Sequence, residues 1–202
     1  VWDDFDAAYA EQCLAAAQRA WRAANENPVQ LAGNTPGAGG GNYDDVNVLD
    51  EFFWAAAELY ITTGEDEYRD YLLASRYFEN FDGLDESKAS AMYWGDTAAL
   101  GTLSLALLPN SLGDAQVEML RGQIIATAER YLTILEDEGY RVPIDQSGYV
   151  WGSNSAVMNN AIILAYAHRF TGDERHLHGV IHAMDYALGR NTLTRSFVSG
   201  YG

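Results

Sequence analysis

Apolar residues return every three or four positions along most of this chain, and the stretches between those runs are rich in glycine, proline, asparagine and aspartate. Between Asp3 and Ala24, the residues Phe5, Ala8, Tyr9, Cys13, Ala16, Ala17, Ala20, Trp21 and Ala24 fall on one side of a helix. That pattern predicts an amphipathic helix with a narrow, alanine-rich contact face, Phe5 and Trp21 being its large fillers. A second run, Leu49 to Thr62, predicts a helix capped by Asn47, with Asp50 placed three residues on, where a carboxylate reaches back. Thr63-Gly64-Glu65 stops it and starts another, with Tyr68, Tyr71, Leu72 and Phe78 on one side. Residues 81–93 read as mostly irregular, after which Trp94, Gly95 and Asp96 open a helix of small and apolar residues through Leu107. Pro109, Asn110 and Gly113 separate it from a longer helix capped by Asp114, whose core stripe is Val117, Leu120, Ile124, Ala128, Tyr131, Leu132 and Leu135, with Gly139 as its stop signal. Tyr140 to Pro143 is extended. Ala156 to Phe170 and Glu174 to Leu188 are the last two helical runs.

Two junctions echo each other. Thr63-Gly64-Glu65 and Thr171-Gly172-Asp173 share a glycine able to take the positive φ that ends a helix, followed by an acid able to cap the next. Matching hinges point to a repeated helical hairpin with short turns. With no strand pattern longer than a few residues, the prediction is an all-α protein of about seven helices paired antiparallel.

The composition suits a folded domain: 202 residues, 48% hydrophobic and 12% aromatic. A formal net charge of −17 argues against nucleic acid or an anionic membrane surface as partner, since both are bound by surplus lysine and arginine. No apolar run approaches the length of a membrane span. The single cysteine, Cys13, cannot form an intrachain disulfide, and its place on the apolar stripe predicts a buried, inert thiol. The glycine-rich stretch GNTPGAGGGNYDD lacks the Gly-Lys-Ser/Thr ending of a phosphate-cradling loop.

Three groups of residues carry candidate chemistry. Tyr149, Trp151 and Asn154 combine flat apolar rings with neutral hydrogen-bonding groups, a surface suited to a sugar ring, against the plainer reading of a loop tryptophan packed on its own fold. The exposed aromatic loops near Tyr43 and Trp94 are weaker candidates for the same role and read as structural. Asp50, Glu51 and Asp96 stand at helix starts and offer hard oxygen ligands of the kind calcium takes, although the helix dipole alone also favours acids there. Among the histidines, His178 and His182 have the spacing of a zinc-binding pair but no evident third ligand, so His168, His176, His178 and His182 read as solvated. No Ser-His-Asp arrangement, nucleotide fingerprint or HExxH motif occurs.

The C-terminal segment LGRNTLTRSFVSGYG resembles the stretch that leads into the active-site histidine of family 9 glycoside hydrolases, with Ser196, Phe197, Val198, Ser199 and Gly202 matching its start. The similarity extends back through YVWGSN and NVLDEFFWAAAELYITTGEDEY. The resemblance implies part of an (α/α)6 barrel, residues 1–202 forming one partial catalytic domain truncated at both ends. It implies an inverting enzyme that cleaves β-1,4-linked glucan such as cellulose and acts outside the cell. Inversion requires a general base and a general acid on separate carboxyl groups. The family's Asp-Ala-Gly-Asp base motif and its C-terminal acid do not occur here, so Asp44 and Asp45 take no catalytic role, no catalytic residue is assigned, and the chain alone is expected to be inactive. The resemblance also implies a calcium site on Asp50, Glu51 and Asp96, with Val46 or Asn47 lending a carbonyl. Two rival readings are a relative acting on glucosamine-containing chains, to which an acidic protein is attractive, and a non-enzymatic helical-repeat scaffold.

Overall fold

The computed structural model describes residues 3–31 and 45–201. Its helices are α1 (Ala7–Glu26), α2 (Leu49–Thr63), α3 (Asp66–Ala74), α4 (Arg76–Glu79), α5 (Ala98–Leu107), α6 (Asp114–Asp137), α7 (Ser153–Thr171) and α8 (Glu174–Leu188). Short 3-10 turns occupy Asp82–Leu84 and Gln146–Gly148. Among the described residues the β structure is one isolated bridge, between Tyr93 and Asp96. The all-α expectation holds.

The two echoing hinges are built alike. Gly64 and Gly172 both adopt left-handed backbone, φ 70° in each case, and end α2 and α7. Thr63 Oγ1 donates to Leu59 O at 2.8 Å and accepts from the backbone N–H of Glu65 at 3.2 Å. Thr171 Oγ1 donates to Ala167 O at 2.8 Å and accepts from the N–H of Asp173 at 3.1 Å. Each threonine therefore adds a second hydrogen bond to a carbonyl one turn back in the ending helix and satisfies one N–H of the turn. The second hinge adds a cap, since the Asp173 carboxylate accepts from Arg175 N at 2.9 Å.

Hairpins then stack in order: α2 packs on α3 and α5, α5 on α6, α6 on α7, and α7 on α8. The main core runs through this stack, with Phe53, Leu72, Leu105, Leu120, Ile124, Tyr131, Ile163 and Leu164 withdrawn from solvent. A smaller core of Val142, Ile144, Val157, Ala161 and Ala183 lies between the start of α7, the middle of α8 and the segment before Trp151.

Several local expectations are corrected. Helix α1 is anchored mainly by Trp21, which meets Phe52, Tyr68 and Tyr71 edge-on at 5.1–5.6 Å and donates to Glu67 at 2.8 Å, with Leu14 packed on the core and Gln18 donating to Glu65 at 3.3 Å. The remainder of its stripe is uncovered among the described residues: Phe5 is 81% exposed, and Cys13 is exposed rather than buried. Alanine faces bury only when a neighbour comes close, and α1 and α2 instead diverge around a groove of about 1320 Å³ lined by Cys13, Leu14, Ala17 and Phe52. Asn47 does not cap α2 by a strong bond; Val48 holds the cap position, and Asn47 Oδ1 reaches only Leu49 N at 3.4 Å. The run from Glu65 to Phe78 breaks at Ser75, whose backbone is extended and whose Oγ accepts from Tyr77 N. Trp94 lies in a turn, and α5 begins only at Ala98. Gly113 precedes α6, so Asp114 is its first residue, set in the N-terminal dipole. The positive φ after α6 belongs to Arg141, not Gly139.

Candidate functional site

Two loops present exposed aromatic rings. In one, Trp151 is 91% exposed, Tyr149 stands partly open beside it, and Asn154 lies exposed on the first turn of α7. Burial pushes the Tyr149 hydroxyl up to about 12, so it stays a neutral donor. In the other, the Tyr93–Asp96 bridge makes a tight turn that leaves Trp94 57% exposed, edge-on to Tyr93 at 6.0 Å. Trp94 thus stands at the surface, as an exposed loop residue.

The roots of both loops are fastened to α7. Asn160 donates from Nδ2 to Ala89 O at 2.8 Å and to Pro143 O at 2.6 Å, and Asn159 donates to Met92 O at 2.9 Å. Tyr131 on α6, fully buried, accepts from Ala91 N at 3.0 Å. Gly148 sits so close that an added Cβ would stand 2.8 Å from Ala89 Cβ.

A second grouping lies at the start of α2. Asp45, Asp50 and Glu51 bring carboxylate oxygens within 4.8 Å of one another. Asp50 is fully buried and held on both sides: Oδ1 accepts from Asn47 Nδ2 at 2.9 Å, and Oδ2 accepts from Thr97 N at 2.7 Å. Asp45 Oδ1 accepts from Asn47 N at 2.9 Å, while Asp45 Oδ2 and Glu51 Oε2 are buried without a hydrogen-bond partner among the described residues. Burial first, then the adjoining Asp50, raises Glu51 from the ordinary 4.5 to about 7. Gathered carboxylates with unused buried oxygens are a donor set that fits a hard cation. Asn47 serves it as a second layer, its amide donating to Asp50 and to the Tyr77 hydroxyl, so its side chain offers no ligand oxygen there. Asp96 is not one of that group, although the N–H of the following Thr97 binds Asp50. Lys88 binds Asp96 Oδ2 and also Asp82, at 2.5 and 3.0 Å, while Asp96 Oδ1 is buried without a hydrogen-bond partner among the described residues.

The sequence profile of glycosyl hydrolase family 9 matches residues 1–202. The chain belongs to this family. It is 43% identical over its whole length to a cellulose 1,4-beta-cellobiosidase of Acetivibrio thermocellus, and 39% identical over 99% of its length to endoglucanase C of Cellulomonas fimi. It spans 25% and 18% of those proteins. The structure superposes over its full length on the family 9 endoglucanase J30 with a TM-score of 0.87 at 28% identity, covering 36% of that chain. A metagenome-derived family 9 endoglucanase gives 0.82 at 31% identity, again with 36% covered. The stacked hairpins are therefore part of the (α/α)6 barrel of family 9.

Within this family 9 segment, the histidines are arranged otherwise than their spacing suggested. His178 is exposed, and His182 Nδ1 is met by Arg190 at 3.0 Å, so they form no pair. His176 is 1% exposed, not solvated, and contacts Glu129 at 3.0 Å and Thr171 Oγ1 at 3.4 Å. Glu129, Asp173 and His176 converge, but Arg175 already bridges the two acids at 3.1 and 2.7 Å. The segment after α8 folds back, Phe197 N donating to Ala187 O and its ring meeting Tyr186 edge-on at 5.6 Å. Tyr43, Asp44 and Gly202 lie outside the described residues. Sequence reasoning missed Asp45 as a partner of Asp50, and it missed Lys88 and Asn160, for which periodicity carries no signal.

Proposed function

We propose that this chain is one portion of the catalytic domain of an inverting, extracellular glycoside hydrolase acting on β-1,4-linked glucan, cellulose being the default. It contributes an aromatic wall to the substrate cleft and a structural calcium site. The observation that carries the reading is the family match over the whole chain, joined to two exposed aromatic loops fastened together on α7.

The chemistry of the wall follows from the residues. A glucan chain offers flat C–H faces and equatorial hydroxyls. Trp151 and Trp94 supply ring faces to the former, and Tyr149 and Asn154 supply neutral hydrogen-bonding groups to the latter. Hydrolysis with inversion needs two carboxyl groups roughly 6.5–9.5 Å apart, and their family motifs lie outside these 202 residues. The wall therefore binds and aligns substrate for groups on the remainder of the domain.

Asp45, Asp50 and Glu51 are the residues that would hold calcium, with the backbone around Val46 and Asn47 beside them and Asp96 brought in only if Lys88 yields it. Bound there, calcium would supply charge neutralisation that lets the starts of α2 and α5 come together. It takes no part in bond cleavage.

The test uses the full-length enzyme on cellodextrins, following the anomer released by NMR and repeating the assay with Trp151→Ala. Release of the inverted anomer, with KM raised about tenfold or more in the variant, is expected. Absence of β-1,4-glucan cleavage, or a Trp151→Ala enzyme with unaltered KM, overturns the reading.

A further inference from the structure

Asn160 lies inside α7 with its side chain fully buried, a position that is costly for an amide unless its hydrogens are bonded. Both Nδ2 hydrogens are bonded, and to two different stretches of chain: one to Ala89 O at 2.8 Å, the other to Pro143 O at 2.6 Å. The orientation is dictated by these acceptors, because the flipped amide would set its oxygen against two carbonyls. Ala89 belongs to the segment that rises into Tyr93 and Trp94, and Pro143 to the segment that rises into Tyr149 and Trp151. A single amide group thus ties the roots of both aromatic loops to one point on a long, well-buried helix. Gly148 packs into the same seam, since a Cβ there would stand 2.8 Å from Ala89 Cβ and 2.5 Å from Ile144 Cγ1.

We propose that Asn160 is a positioning residue for substrate: it fixes the separation of the Tyr93–Trp94 turn from the Tyr149–Trp151 loop, so that both present their rings to the same glucan chain. This rests on the cleft-wall reading above. Ring stacking on a stiff polysaccharide depends on register between successive platforms, and a shift of about 1 Å between them weakens the bound state. An amide that served only to satisfy two carbonyls would lower thermal stability and leave oligosaccharide affinity alone.

The experiment takes the full-length enzyme as wild type, Asn160→Ala, Asn160→Ser, Gly148→Ala, Trp94→Ala and Trp151→Ala. Each is titrated with cellotetraose by calorimetry and assayed on cellodextrins, at a temperature where circular dichroism shows the fold intact. Asn160→Ala and Gly148→Ala, which disturb one seam in different ways, are each expected to weaken cellotetraose binding and raise KM about 5- to 20-fold, with kcat lowered much less. Asn160→Ser, retaining one donor, recovers part of the affinity. If Asn160→Ala does not fold, Asn160→Ser and Gly148→Ala carry the same test. Wild-type affinity in the folded Asn160 and Gly148 variants, alongside weakened Trp94→Ala and Trp151→Ala, overturns the positioning role alone. Wild-type affinity in both tryptophan variants overturns the cleft wall, and the positioning role with it.

Discussion

Glu51 follows Asp50 directly, and folding brings Asp45 to the same place, so burial and like charge together raise its carboxyl to about 7. Because the folded value lies above the unfolded one, the neutral form of Glu51 is favoured by folding. In metal-free protein its stabilising contribution is complete below about pH 4.5 and is lost as pH rises through about 7. Thermal melts in chelator are expected to show this decline, and Glu51→Gln to flatten it. Adding calcium above neutral pH is expected to raise the melting temperature of the native sequence more than that of Glu51→Gln. Equal gains would place the cation elsewhere. Tyr131 gives a second check at this scale: its hydroxyl, pushed up to about 12 by burial, serves the backbone N–H of Ala91. Tyr131→Phe leaves that N–H unpaired and is expected to cost about 1–3 kcal/mol in denaturant unfolding. That Asp50 and Glu51 stand together at the start of α2 was legible from the sequence. Asp45 and Lys88 were not, since their partners are set by how the chain turns back on itself.

Among the elements, the paired hinges were the most readable feature. A threonine, a glycine and an acid in succession specify a helix end, a left-handed residue and a new start, and each requirement is local. Gly172 has φ 70° with no atom within 4 Å of an added Cβ, so Gly172→Ala meets backbone strain and no clash. The expected loss is about 1–2 kcal/mol, measured by chemical denaturation, with Gly172→Asn losing less because asparagine tolerates this backbone. The start of α5 was misread because Trp94-Gly95-Asp96 resembles a helix opening. In the fold, Asp50 of α2 supplies the acceptor for Thr97 N, and the helix begins after that contact. Helix α1 illustrates the converse. Its periodicity correctly predicts a helix, yet periodicity alone does not say which positions find a neighbour, and here Trp21 alone is buried.

For the molecule as a whole, successive hairpins build a section of a ring, matching over its full length about a third of solved family 9 chains. The 202 residues hold neither the family's base motif nor its acid. The chain by itself is therefore expected to release no sugar from cellodextrins in a reducing-end assay, and measurable turnover would show that carboxylates within it, such as Asp45 or Asp50, do the chemistry. No helix among the described residues is long and apolar enough to cross a membrane.

The sequence by itself determined the helical class, the hairpin repeat with its hinges, the acids of α2 and the aromatic loop before α7. These depend on nearest neighbours along the chain: side-chain period, backbone freedom at glycine, and caps within a few residues. Tertiary structure alone decided that Asp45 gathers with Asp50 and Glu51, that Lys88 holds Asp96, that His176 is buried, and that Asn160 ties two distant segments together. Each of those contacts joins residues whose separation along the chain carries no period, so only the packing of helices brings them within bonding distance.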